Sequence, residues 1–132
     1  MRTCVRMMMG RPYRPLRELE DHLDRGELEF ALVLARSIAD ERDRPLELEL
    51  TVRFLPLIAV SRPAVYDPWT LRWLERWCDE NRLLASIDDA LEVVGGLVEI
   101  PADPERGLER IRAASKEHPG LSGWRRRRSR RD

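Results

Sequence analysis

A chain of 132 residues with 42% hydrophobic content is long enough to bury a core and too apolar to stay disordered. Its 36% charged residues, with no apolar run near the ~20 residues that cross a bilayer, predict no membrane-spanning segment. Two cysteines, Cys4 and Cys78, make no disulfide framework, and the amino end lacks the apolar stretch of a secretory signal, so a cytoplasmic protein with reduced thiols is expected.

Residues 1–14 hold Gly10 and Pro12 and show no period, the mark of an irregular basic arm. Pro15 suits the first turn of a helix, where its missing N–H costs nothing. Leu16, Leu19 and Leu23 follow at helical spacing up to the turn Asp24-Arg25-Gly26. From Glu27 to Arg42 the spacing predicts a helix that is apolar almost all round, with only Glu29, Arg36 and Asp40 as a polar stripe. Such a helix needs cover on several sides, so it is expected at the centre of the fold.

Residues 46–54 carry two signals at once. Leu46, Leu48, Leu50, Val52 and Phe54 alternate with Glu47, Glu49, Thr51 and Arg53, as in a half-buried strand. Leucine and glutamate are nevertheless better helix formers, and no second segment alternates comparably to pair with a strand. The segment therefore reads as a helix from 46 to about 60, weakened or kinked at Pro56. A strand over 46–54 would make the fold α+β instead.

Asp67-Pro68 predicts an N-cap and first helical residue for a helix reaching about Asn81. Ser86 with Asp89 reads as a capping box opening a helix through Ile100, whose apolar positions are Ile87, Ala90, Leu91, Val93, Val94, Leu97 and Val98. Gly95-Gly96 inside that helix predicts close approach of another backbone. Asp103-Pro104 starts a last helix through about Glu117, which His118-Pro119-Gly120 stops. The fold class is all-α, about six helices in three antiparallel hairpins, 15–42, 45–82 and 86–117, as a compact bundle or short solenoid. One helical domain over 15–118 is expected between the basic arm 1–14 and a disordered arginine-rich tail, 119–132.

The stretch Gly26-Glu27-Leu28-Glu29, followed by Ala31-Leu32-Val33-Leu34-Ala35, resembles a tetratricopeptide or HEAT-type helical hairpin. That resemblance covers architecture and implies a protein-binding scaffold. Of the 24 basic residues only Lys116 is lysine, and the chain also resembles short arginine-rich, all-helical open reading frames of the actinobacterial type, which imply no active site.

The formal neutrality hides an uneven distribution. Arg125, Arg126, Arg127, Arg128, Arg130 and Arg131 stand against one acidic residue, Asp132, at the carboxyl end, whereas residues 16–124 hold 14 basic and 23 acidic side chains. These six arginines are candidates for non-specific phosphate contacts with nucleic acid. The acidic body instead offers them a partner within the chain or in a homo-oligomer. Trp69, Trp73 and Trp77 recur every four residues along one edge of the helix over 67–81, beside an arc of Leu71, Leu74 and Cys78. Such an edge either lines a core or is offered to a protein partner, and Cys78 on the apolar arc reads as a buried thiol.

Chemistry is poorly represented. His22 and His118 are far apart in sequence, and Asp21-His22 with Asp24 lacks the spaced His/Cys pairs of a zinc site. No phosphate-binding loop, dinucleotide motif or nucleophile elbow occurs. No catalytic residue, cofactor or metal is expected. The sequence reads as a non-enzymatic protein-interaction or adaptor module of unidentified partner, with a nucleic-acid-associated accessory protein as the alternative.

Overall fold

The computed structural model describes residues 14–116, and these divide at Arg44/Pro45 into two compact units. The expected arm and tail, and with them Arg125 to Arg131, lie outside the described residues. Among the described residues the regular elements are α1 (Pro15–Asp24), α2 (Leu28–Arg42), α3 (Leu48–Thr51), α4 (Phe54–Ser61), α5 (Tyr66–Asn81), α6 (Ile87–Glu99) and α7 (Pro104–Lys116), with a 3₁₀ turn at Pro63–Val65. The fold is all-α and the strand alternative falls. The six longer helices pair as expected, α1 with α2, α4 with α5 and α6 with α7.

In the first unit, Pro15 sits in the first turn of α1, and the helix ends where Gly26 takes a left-handed φ of 73°. Glu27 N–H then reaches the His22 carbonyl at 2.9 Å and Gly26 N–H the Leu23 carbonyl at 3.1 Å, satisfying carbonyls that a helix end leaves open. Asp43, at φ 57°, ends α2 the same way, with Arg44 N–H on Ala39 and Asp43 N–H on Asp40. Aspartate tolerates this conformation, and Pro45 prevents the chain from continuing as helix. Contrary to expectation, α2 is one-sided. Leu28, Ala31 and Ile38 are buried, but Phe30 and Val33 are 65% and 71% exposed. Much of its apparent all-round apolarity comes from alanines and from these two exposed residues.

The second unit holds most of the large buried side chains. Leu46, Leu48, Leu50, Val52 and Phe54 are all buried, an alternation that mimics a strand without forming one. The backbone makes one helical turn at α3, breaks at Val52-Arg53, and restarts as α4. Pro56 is the cause, although the break lies upstream of it. A proline removes the bond to the carbonyl four residues back and its ring crowds that carbonyl, here Val52. The Val52 carbonyl instead accepts from Leu55 N–H at 3.1 Å, and Pro56 falls in the first turn of α4, where its lack of an N–H is harmless.

Two other caps show the same economy. Ser86 and Asp89 form the expected reciprocal box, Asp89 N–H to Ser86 Oγ at 3.1 Å and Ser86 N–H to Asp89 Oδ2 at 3.0 Å. Arg106 N–H bonds Asp103 Oδ1 at 3.3 Å, so Asp103 caps α7 as expected. Asp67 departs from its prediction: α5 begins at Tyr66, two residues before the expected first helical residue Pro68, because the 3₁₀ turn from Pro63 feeds straight into it.

Helices α6 and α7 meet at paired glycines. A Cβ on Gly96 would lie 2.6 Å from the Gly107 carbonyl oxygen, and one on Gly107 equally close to that of Gly96. The backbone approach predicted from Gly95-Gly96 is thus made by Gly96, with Gly107 as its counterpart. Gly95 has another neighbour, the Arg110 guanidinium, which lies over it and bridges Glu92 at 3.3 Å and Glu99 at 3.2 Å.

Tyr66 supplies a further tie. Pro101 has no N–H to give the Leu97 carbonyl, and the buried Tyr66 hydroxyl donates to that oxygen at 2.6 Å. Burial, with Asp67 adding, pushes the phenol well above its ordinary value near 10. A raised folded-state value means stability that is complete below pH 10 and is lost as pH rises beyond it, because only the unfolded chain releases the proton readily. Tyr66→Phe should therefore lower stability at neutral pH by about 1–3 kcal/mol, leaving a carbonyl orphaned, yet flatten the decline above pH 10. Urea denaturation at several pH values checks this, and equal slopes for both proteins would contradict it.

Candidate interaction groove

Along α5, Tyr66, Thr70, Trp73, Trp77 and Asn81 form the buried stripe. The Trp73 indole N–H lies 3.3 Å from the Leu48 carbonyl and 3.1 Å from Thr51 Oγ1, pinning the single turn of α3. The Trp77 N–H donates to Ser115 Oγ at 3.2 Å, and Ser115 in turn donates to the Ile111 carbonyl at 2.9 Å. Trp73 is 6% exposed and Trp77 1%, so these two partner-binding candidates are occupied inside the chain. Trp69, the third, is half-buried. The arc expected to be covered is the open one: Leu71 is 62% exposed and the Cys78 thiol is exposed, not buried.

That open arc faces α6 across a cleft of about 250 Å³, lined by Leu71 and Leu74 from α5 and by Val94, Leu97 and Val98 from α6, with Asp67 and Thr70. The cleft continues as an apolar stripe. Ile87, Leu91, Val94 and Val98 recur at alternating steps of four and three, the spacing of a coiled-coil seam. Ile87, Leu91 and Val98 are 79%, 60% and 73% exposed, and Leu83 and Leu84 stand exposed just upstream. The other side of α6, with Val93, Gly96, Leu97 and Ile100, is buried. At about 100° per residue the apolar positions of this helix span roughly 160°, more than a ~100° stripe, so the helix carries a packed face and an open one.

The stripe is what the residue pattern missed as a site. Its signal was the breadth of the apolar arc on residues 87–98, the same argument that applies to the tryptophan helix.

Elsewhere the geometry offers less. His22 Nδ1 is hydrogen-bonded to Glu27 Oε1 at 2.6 Å and its ring stacks on Phe30 with centroids 5.5 Å apart. The His22 bond, and then Arg25, hold the Glu27 carboxyl below its usual range against partial desolvation. His22 is thus engaged with its own turn rather than with Asp21 and Asp24, and among the described residues no group of three His, Cys, Asp or Glu side chains could hold a metal ion. A second cleft, about 480 Å³ in the first unit, is rimmed by Arg14, Arg17 and Arg42 and by Glu20 and Glu41 around Leu16 and Ile38. Its mixed charges select no ligand class. No helix among the described residues is long and apolar enough to cross a membrane.

Fold and groove together define an all-α protein of helical hairpins with an apolar face exposed among the described residues. Compared with protein-family models, curated proteins and solved structures, the chain has no match in any of the three.

Proposed function

We propose that this chain is a non-enzymatic protein-interaction or adaptor module of the tetratricopeptide- or HEAT-like kind, acting in the cytoplasm through the groove between α5 and α6. The observation that carries the reading is the exposed stripe Ile87-Leu91-Val94-Val98 beside the Leu71-Leu74 cleft. Contiguous exposed apolar surface is costly in water and marks binding faces, and seam spacing of this kind suits an amphipathic helix laid into a groove. The tryptophan edge is withdrawn as the binding surface, since Trp73 and Trp77 are core.

The double variant Leu71→Asp, Val98→Asp tests it. Both residues are mostly exposed, so the variant should unfold within about 1 kcal/mol of wild type. Proteins that co-purify with the wild-type chain should be lost from the variant and kept by Trp69→Ala. Retention of the same proteins by the double variant would sink the reading.

A second reading keeps one specific observation, the six arginines among the last eight residues. A nucleic-acid accessory role through Arg125 to Arg131 requires affinity for DNA or RNA that falls steeply with added salt. The absence of binding at low salt would end it.

A further inference from the structure

The groove's surroundings and the sequence beyond α7 are chemically complementary. Helical angles place Asp67 and Glu75 of α5, and Asp88, Glu92 and Glu99 of α6, along the flanks of the groove, against Arg82, Arg106 and Arg110. Arg110 is already bridged to Glu92 and Glu99. With Arg106 also bridged to Glu99, the groove presents an apolar floor whose sides carry five carboxylates against three arginines, a net acidic balance. A second copy packed face to face would set these carboxylates against their own equivalents, a repulsion that a homodimer through this face would have to overcome. A basic segment with bulky apolar residues fits instead.

This chain contains one. Leu121 and Trp124 are followed by Arg125 to Arg128, Arg130 and Arg131. The point of departure is also suitable. The last described residue of α7, Lys116, follows Ser115, which accepts the Trp77 indole bond, so this end of the described chain lies beside α5. From Lys116 to Trp124 an extended chain spans up to ~26 Å. Leu71 lies only ~9 Å along α5 from Trp77, and the α6 stripe is ~17 Å long, so the segment reaches the groove even after rounding a helix ~10 Å thick.

We infer that Leu121 and Trp124 dock in the α5–α6 groove of their own chain, with the arginines against its acidic sides, so that the protein carries its own competitor for the binding face. This deepens the proposed function and rests on the groove being that face. A partner gains access by displacing the segment, and the neutral total charge of the chain is then a consequence of self-pairing.

The test is methyl-labelled NMR of the full-length protein, read as nuclear Overhauser contacts between the Trp124 ring and the methyls of Leu71, Leu74 and Val98. These cross-peaks are expected in wild type and should be lost in Leu71→Asp and in Trp124→Ala. A folded wild-type protein without them overturns the inference. Mixing methyl-labelled with unlabelled chains separates the sources: contacts arising only between chains mean that a second copy supplies the segment, which also overturns docking in cis. The two readings fail separately. Missing Trp124 contacts, with partners still lost from the Leu71→Asp, Val98→Asp variant, remove only the self-docking; partners retained by that variant remove the groove itself.

Discussion

Trp77→Ala is expected to cost about 3–5 kcal/mol, the largest effect of any single truncation in the second unit. Two contributions point the same way. The side chain is 1% exposed, so its whole indole is replaced by a cavity at the junction of α5 and α7. Ser115 Oγ loses its donor in a site with no exposure to water. Domains of this size are stable by only about 5–15 kcal/mol, so the loss is a large share of the total. Ser115→Ala isolates the polar part: it keeps the packing but leaves the indole N–H unbonded, with an expected cost of about 1–3 kcal/mol. Urea unfolding followed by circular dichroism measures both. A Trp77→Ala protein within about 1 kcal/mol of wild type would show that the tryptophan edge is not core.

The adjacent glycines of α6 should respond oppositely to the same substitution. Gly96→Ala puts a methyl 2.6 Å from the Gly107 carbonyl oxygen and 2.7 Å from Ile111 Cγ1, so backbone must move and α6 must part from α7. Overpacking of this kind costs about 1–3 kcal/mol, and the close backbone partner places Gly96 at the upper end even after alanine's helix preference of about 1 kcal/mol is credited. Gly107→Ala should behave alike, since it meets the Gly96 carbonyl and Ile100 in the same crossing. Gly95→Ala meets only the Arg110 guanidinium, the end of a flexible side chain that can swing away. The ion pairs it disturbs are partly exposed and worth little, so the change should be neutral or stabilising by up to about 1 kcal/mol. Thermal melts of the three variants check the order. Equal effects at Gly95 and Gly96 would mean that the helices do not meet as described.

How far the sequence carried the fold depends on whether local chemistry decided the outcome. Helix ends built from their own residues were legible: Pro15 at a first turn, Gly26 at a left-handed cap, the Ser86–Asp89 box, Asp103 before Pro104. Elements decided by distant packing were not. Residues 46–54 alternate in burial because five apolar side chains are buried from the segment before α3, from α3 itself, from the break at Val52 and from the start of α4, a pattern that periodicity cannot tell from a strand. The apolar arc of α2 gave no warning that Phe30 and Val33 would stay exposed. Asp67 looked like a cap because nothing local announced the 3₁₀ turn that begins α5 at Tyr66.

The site was half legible for a related reason. The residue pattern on α5 left open whether the tryptophan edge lines a core or meets a partner, and Trp73 and Trp77 prove to be the buried face. Large rings gain most from burial, whereas Leu71 and Leu74 on the neighbouring arc were left for the groove. On α6 the seam residues Ile87, Leu91, Val94 and Val98 were grouped with Val93 and Leu97 as a single apolar face. Only the packing of Gly96 against Gly107 shows which part of that face α7 covers.

The proposed working face is the α5–α6 groove rather than the tryptophan edge. Its most direct test is a photo-crosslinking amino acid placed singly at Leu71, Val98, Trp69 or Asp79 of the full-length protein in cells. Adducts to another polypeptide are expected from positions 71 and 98, with few or none from 69 and 79. Adducts from 69 or 79 with none from 71 and 98 would contradict it.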